Sequence, residues 1–182
     1  MRAFVLLVAA VLLDVLCSAL CHAVGLTVFR PEMPLLVALY AGLSVANQRA
    51  PMSRSSWLET SLIGLLAGYF GDLLAGAPIG LGALACLVIA LIARSVADRL
   101  LLSTFWRTAL VAWFFALGHG AILMLILAAT IGLPFYRQLP LILGISVASG
   151  LVAPVVFALL NRLLLSGTRT SRATSLEANA LR

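Results

Sequence analysis

Several apolar runs in this chain approach the length that crosses a lipid bilayer, and that length governs everything the chain can fold into. A helix rises 1.5 Å per residue, so about 20 residues cover roughly 30 Å of hydrocarbon. Runs near 3–26, 58–74, 108–131 and 139–165 meet or approach this length. Two more, near 33–46 and 81–96, are shorter. Of the 182 residues, 63% are hydrophobic and 10% charged. Soluble domains carry about 45–50% apolar and about 25% charged residues. Helices apolar on every face need lipid or a deep core around them. The chain therefore reads as all-α. It has one polytopic transmembrane domain of about six helices over 1–165, then a polar cytoplasmic tail over 166–182, rich in Ser, Thr and Arg and expected to be disordered.

The breaks between runs have local causes. Arg30-Pro31 and Pro34 separate the first two runs, because proline lacks an N–H and restricts the residue before it. Gly132-Leu133-Pro134 and Pro140 bracket the fifth loop, and Pro51 sits in a polar turn over 47–56. Pro154 marks a kink site in the last run.

Charge sets the orientation. All twelve basic residues are arginine. In a six-span arrangement ten of them fall on one side, and only Arg30 and Arg137 on the other. Arginine excess marks the cytoplasmic face, so both termini are expected there. Without the short second span the split worsens. The arginines form no basic stripe with interleaved aromatics, which argues against nucleic-acid binding. Met1-Arg2 before an apolar run resembles a signal peptide, but the run continues past Cys21, so an uncleaved first helix is expected. Cys17, Cys21 and Cys86 all lie in apolar runs and form no disulfide or zinc pattern.

Few groups can do chemistry. Asp72 stands near the outer end of the third run, before the turn Gly76-Ala77-Pro78-Ile79-Gly80. A carboxylate in hydrocarbon costs about 2.5–3.5 kcal/mol on insertion scales, so it needs a partner. Asp72 is expected to accept backbone N–H groups at that turn, or to pair with Arg30 or Arg137. Gly64 and Gly68 share one helix face, with Gly71 a turn further on, and allow close helix approach, within the chain or in a homodimer. Gly144, Ala148 and Gly150 form a similar set in the sixth run. Asp14 and His119 lie near mid-span of the first and fifth runs and are expected to pair across helices. Arg30-Pro31-Glu32 is polar and outward-facing, too small a set for catalysis. Phosphate loops, His-Glu metal pairs and Ser/His/Asp sets do not occur, so no enzyme activity, metal or cofactor is expected.

Phe29-Arg30-Pro31, then Leu39-Tyr40, then Gly64, Gly68, Asp72-Leu73 and Gly76 to Gly80 follow one another in order. This combination resembles the bacterial rod shape-determining protein MreD family, over about 28–93. The rest agrees in hydropathy, length and topology. The resemblance implies a non-enzymatic inner-membrane component of the cell-elongation machinery. Its expected partner is the bitopic protein MreC, and through it a RodA-type glycosyltransferase, a penicillin-binding transpeptidase and MreB. It also implies a fold similar to the six-helix membrane subunit that captures vitamins in energy-coupling-factor transporters. Asp14, His119 and the long arginine-bearing tail are not features the family leads one to expect. The alternative is a small-solute uptake subunit of that transporter type. Its pocket would draw on Asp72, Tyr69, His119 and Asn47, which do not obviously share one side of the membrane.

Overall fold

The computed structural model describes residues 2–25, 30–46, 54–76, 78, 80–97, 105–131 and 135–180, and the side chains of all of these except 2, 44–46, 54–56, 130–131, 135–138 and 165–180. Among the described residues there are six helices and no strand. They are α1 (Arg2–Val24), α2 (Met33–Ala46), α3 (Arg54–Ala75), α4 (Leu81–Val96), α5 (Phe105–Ile131) and α6 (Phe135–Ala180). Four stretches are long and apolar enough to cross a membrane: Ala3–Val24, Trp57–Ala75, Phe105–Ala129 and Leu139–Leu164. The protein is a helical membrane protein. Helices α2 and α4 are apolar but shorter.

The shortest helix is the central one. Helix α2 touches all five others. From Leu35 through Ala41 no residue is more than 4% exposed. A helix walled by protein on every side must be apolar all round, and it need not match the thickness of the lipid. Its one aromatic polar group is satisfied: the Tyr40 hydroxyl donates to Asn161 Oδ1 of α6 at 2.6 Å. The Tyr40 ring meets Phe157 edge-on at 5.3 Å.

Small residues let α3, α4 and α2 close on one another. A Cβ on Gly68 would lie 2.6 Å from Ala83 Cα, and one on Gly64 would lie 2.9 Å from Ala90 Cβ. The Gly64/Gly68 face is thus filled by α4 from the same chain. Of the two arrangements the glycine spacing allows, within the chain or in a homodimer, the structure shows the first at this face. Gly42 of α2 approaches the Ala90 carbonyl in the same way. Gly150 packs on Trp113, joining α6 to α5. In lipid such contacts hold by dispersion, since apolar burial gains little over lipid tails. The flank of α1 bearing Phe4, Leu12, Leu16 and Leu20 is exposed, as a lipid-facing surface would be.

Helix α6 does not end near 165. Its backbone is helical through Ala180, across the segment expected to be a disordered tail. No proline follows Pro154, and Leu176-Glu177-Ala178 favours helix. Its 46 residues span about 69 Å, more than twice the hydrocarbon thickness, so part of it projects from the membrane.

Candidate functional site

The site grows from the connector Arg30-Pro31-Glu32, which leads into α2. Pro31 is buried and keeps Arg30 out of helical conformation. The connector was expected at the outer surface. Instead it reaches deep into the bundle, because each of its charges finds a partner on a neighbouring helix. Arg30 pairs through Nη2 with Asp14 Oδ2 of α1, and its Nη1 donates to Ser18 Oγ at 3.2 Å. The Glu32 carboxylate lies 2.6 Å from His119 Nδ1 of α5. The Glu32 amide donates to Ser149 Oγ of α6 at 3.1 Å. Asp14 stands ten residues before the end of α1 and His119 twelve before the end of α5. These are distances of about 15 Å and about 18 Å along each helix. The connector therefore ties α1, α5 and α6 together at mid-height.

Asp14 and His119 are consequently not a pair. Each takes an opposite or hydrogen-bonding group from the connector, which the apolar runs gave no reason to place between them. His119 also approaches Cys86 of α4, with Nε2 3.7 Å from Sγ. Asp14 is 2% exposed and His119 5%, so both are cut off from water and depend on these contacts.

Asp72 builds the start of α4. Its Oδ2 accepts the N–H of Gly80 at 2.9 Å, of Gly82 at 3.0 Å and of Ala83 at 3.3 Å. Oδ1 also faces the Gly82 amide, at 3.1 Å. The N-cap position of α4 is Gly80, which has no side chain to cap with. The orphan amides of the first turn need an acceptor, and a helix N-terminus attracts negative charge. Asp72 supplies both from the preceding helix. The chain can turn back this tightly because Gly76 and Gly80 take φ of 65° and 100°, where side chains are strained. Gly82 must also lack a side chain, since a Cβ there would strike Asp72 Oδ1. Pro78 is exposed at the turn. Arg137, the other suggested partner of Asp72, has its side chain outside the described residues, as Asn47 has its whole position.

These groups share one cavity. A space of about 290 Å³ is lined by Asp14, Arg30, Glu32, Asp72, Cys86 and His119, with apolar wall from Leu35, Leu123 and Ile145. Gly71 of α3 rests against Pro34 at the start of α2, so the short helices α2 and α4 begin side by side at the cavity, each with an acid at its N-terminus. A cleft of about 480 Å³ between α1 and α3 has Asp14 and Arg30 in its wall as well. Tyr69 does not line the cavity and is 39% exposed. Among the described residues no three His, Cys, Asp or Glu side chains converge as metal ligands. At the far end of α4, buried Arg94 lies 6.0 Å from the Trp57 ring centre.

Glu32 is the site residue that sequence reasoning missed. A signal was present: the chain has only six acids, and this one immediately precedes a uniformly apolar helix. Comparison with protein-family models, with curated proteins and with solved structures finds no match.

Proposed function

We propose that this protein is a non-enzymatic scaffold or regulator of peptidoglycan synthesis in the elongation complex of a bacterial inner membrane, of the MreD type. The observation that carries the reading is the use to which the motif residues are put. Arg30 and Pro31 anchor the connector, Leu39 and Tyr40 fill the core, and Gly64 and Gly68 seat α4 on α3. Asp72 caps α4 at the Gly76–Gly80 turn. Every one of them holds helices to each other, as a rigid docking body requires. In this reading the recessed connector and α2 together make one crossing. The α2 helix of 14 residues adds about 21 Å to a start about 15 Å below the end of α1. That gives six passes, both termini in the cytoplasm, and a fold of the transporter-subunit type. The partner is MreC, with the RodA-type glycosyltransferase, the transpeptidase and MreB reached through it. With the Gly64/Gly68 face occupied, partner or homodimer contacts fall on the exposed helix flanks. Affinity capture of the tagged protein from membranes tests this. Recovery of an MreC-type protein is expected, and recovery of transporter ATPase subunits alone overturns it.

The second reading, a small-solute uptake subunit, gains one observation: Asp72 and His119 line a single cavity. Saturable vitamin binding by the purified protein would favour it over the scaffold.

A further inference from the structure

We propose that Cys86, His119 and Glu32 form a nucleophilic relay that makes Cys86 a site of S-acylation, taking an acyl group of several carbons from a thioester. The chain has three cysteines, two histidines and six acids, and one of each meets here. Cys86 Sγ of α4 lies 3.7 Å from His119 Nε2 of α5, within hydrogen-bond reach for sulfur. At the other ring nitrogen, His119 Nδ1 lies 2.6 Å from Glu32 Oε2 of the connector, and neither of these two atoms has another hydrogen-bond partner. A thiol, an imidazole and a carboxylate in that order are the parts of an activated nucleophile. The carboxylate holds the imidazole proton on Nδ1, which leaves Nε2 free to take the proton of the thiol. The three side chains follow one another and do not surround a point. That suits a proton relay and not a metal ion, since among the described residues no three ligands converge.

A nucleophile needs room for its electrophile. All three side chains line the cavity of about 290 Å³, the volume of about ten waters. Leu35, Leu123 and Ile145 give it an apolar wall suited to an acyl chain. Arg30 is in the lining too, and its cation can stabilise the oxyanion that forms on the acyl carbonyl. The cleft between α1 and α3 shares Asp14 and Arg30 with the cavity and is the approach to it. The step balances without any further reactant. His119 Nε2 takes the thiol proton as Sγ bonds to the acyl carbon. The bond from that carbon to the donor sulfur then breaks. Its electron pair stays on the donor sulfur, and His119 returns the proton there. One thioester is consumed and one is formed, so the exchange is close to thermoneutral. An oxygen ester, being lower in energy, is a poor donor. Cys86 and His119 handle the reacting atoms, and Glu32 is a positioning residue. The chain is the acyl acceptor, so the inference adds to the scaffold reading without depending on it.

The chain carries its own controls. Cys17 and Cys21 are half-buried and Cys86 is buried, so accessibility alone favours the first two. The full unsubstituted chain in nanodiscs is incubated with S-butanoyl-N-acetylcysteamine, a small uncharged thioester, and the butanoyl groups are located by peptide mass mapping. Release by neutral hydroxylamine identifies them as thioesters. Cys86 is expected to be acylated about tenfold faster than Cys17 or Cys21 despite its burial. His119→Gln, compared at equal folded yield, should slow the labelling of Cys86 by about 100-fold, the low end of what a general base supplies. Glu32→Gln should slow it as well, and Glu32→Asp should recover part of the rate. Labelling of Cys17 and Cys21 should stay the same in these variants, which a general loosening of the bundle would not allow. No labelling of Cys86, equal labelling of all three cysteines, or an undiminished rate in His119→Gln would each overturn the proposal. The comparison among the three cysteines needs no variant, so it decides the matter even if the His119 and Glu32 variants do not fold.

Discussion

Asp72 shows how much structure one carboxylate can organise. Three amides at the start of α4 converge on it, and each of the two buried ones, Gly82 and Ala83, costs about 1–3 kcal/mol if left unsatisfied. Asp72→Leu is expected to cut the yield of folded protein sharply and lower the unfolding midpoint in detergent. Asp72→Asn keeps one acceptor oxygen and should fall between. Unchanged midpoints for both would remove the capping role. The glycines nearby should separate by cause. Gly82→Ala pushes a Cβ onto Asp72 Oδ1, while Gly76→Ala meets open space and pays only for its φ of 65°, about 1–2 kcal/mol. Gly82→Ala should be the worse of the two by the same unfolding measurement. A different test suits Asp14. Breaking a buried ion pair costs about 3–5 kcal/mol, but Arg30 keeps 28% of its side chain exposed, so roughly half that range applies. Asp14→Ala should therefore destabilise by about 2 kcal/mol, and adding Arg30→Ala should cost less than the sum of the singles. Strict additivity would argue that the two do not interact. Asp72 was legible in the sequence because an acid beside a glycine-rich turn has few other uses. Glu32 was not, because proximity to proline reads as a surface turn.

Helices were legible and their depth was not. Apolar length and proline placement located all six, with ends within a few residues in most cases. Periodicity carries no information about how far a connector sinks between its neighbours. That depends on partners distant in sequence: Glu32 bonds Ser149, 117 residues away. The length of α6 was also hidden, since polar composition suits a tail and a projecting helix alike. The contact of α3 with α4 makes its own prediction. Gly68→Ala drives a Cβ to 2.6 Å from the Ala83 backbone, which cannot move without displacing α4. Gly118→Ala meets nothing nearer than Ile89 Cδ1 at 3.7 Å. Folded yield by size-exclusion chromatography should drop for the first and hold for the second. Equal yields would mean that α3 and α4 are not packed at this face.

Taken whole, the molecule is a bundle built around an apolar helix that lipid never reaches, with Asp14, Arg30, Glu32 and His119 gathered at mid-height. Half of its acids lie at one cavity, where they join α1 to the start of α2 and α3 to the start of α4. Such a body offers rigid outer flanks, which is what a scaffold in a membrane complex needs. Its all-helical, membrane-spanning character could be reasoned from composition and the length of the apolar runs, whereas the gathering of charges could not, because it is a product of tertiary packing. The central claim is that this body is required for wall synthesis along the cell side. The most direct measurement deletes the gene in its own host and maps where a fluorescent D-amino acid enters the wall. Loss of side-wall insertion, restored by the intact chain and not by Asp72→Leu, is predicted. Unchanged side-wall insertion in the deletion strain would contradict the account.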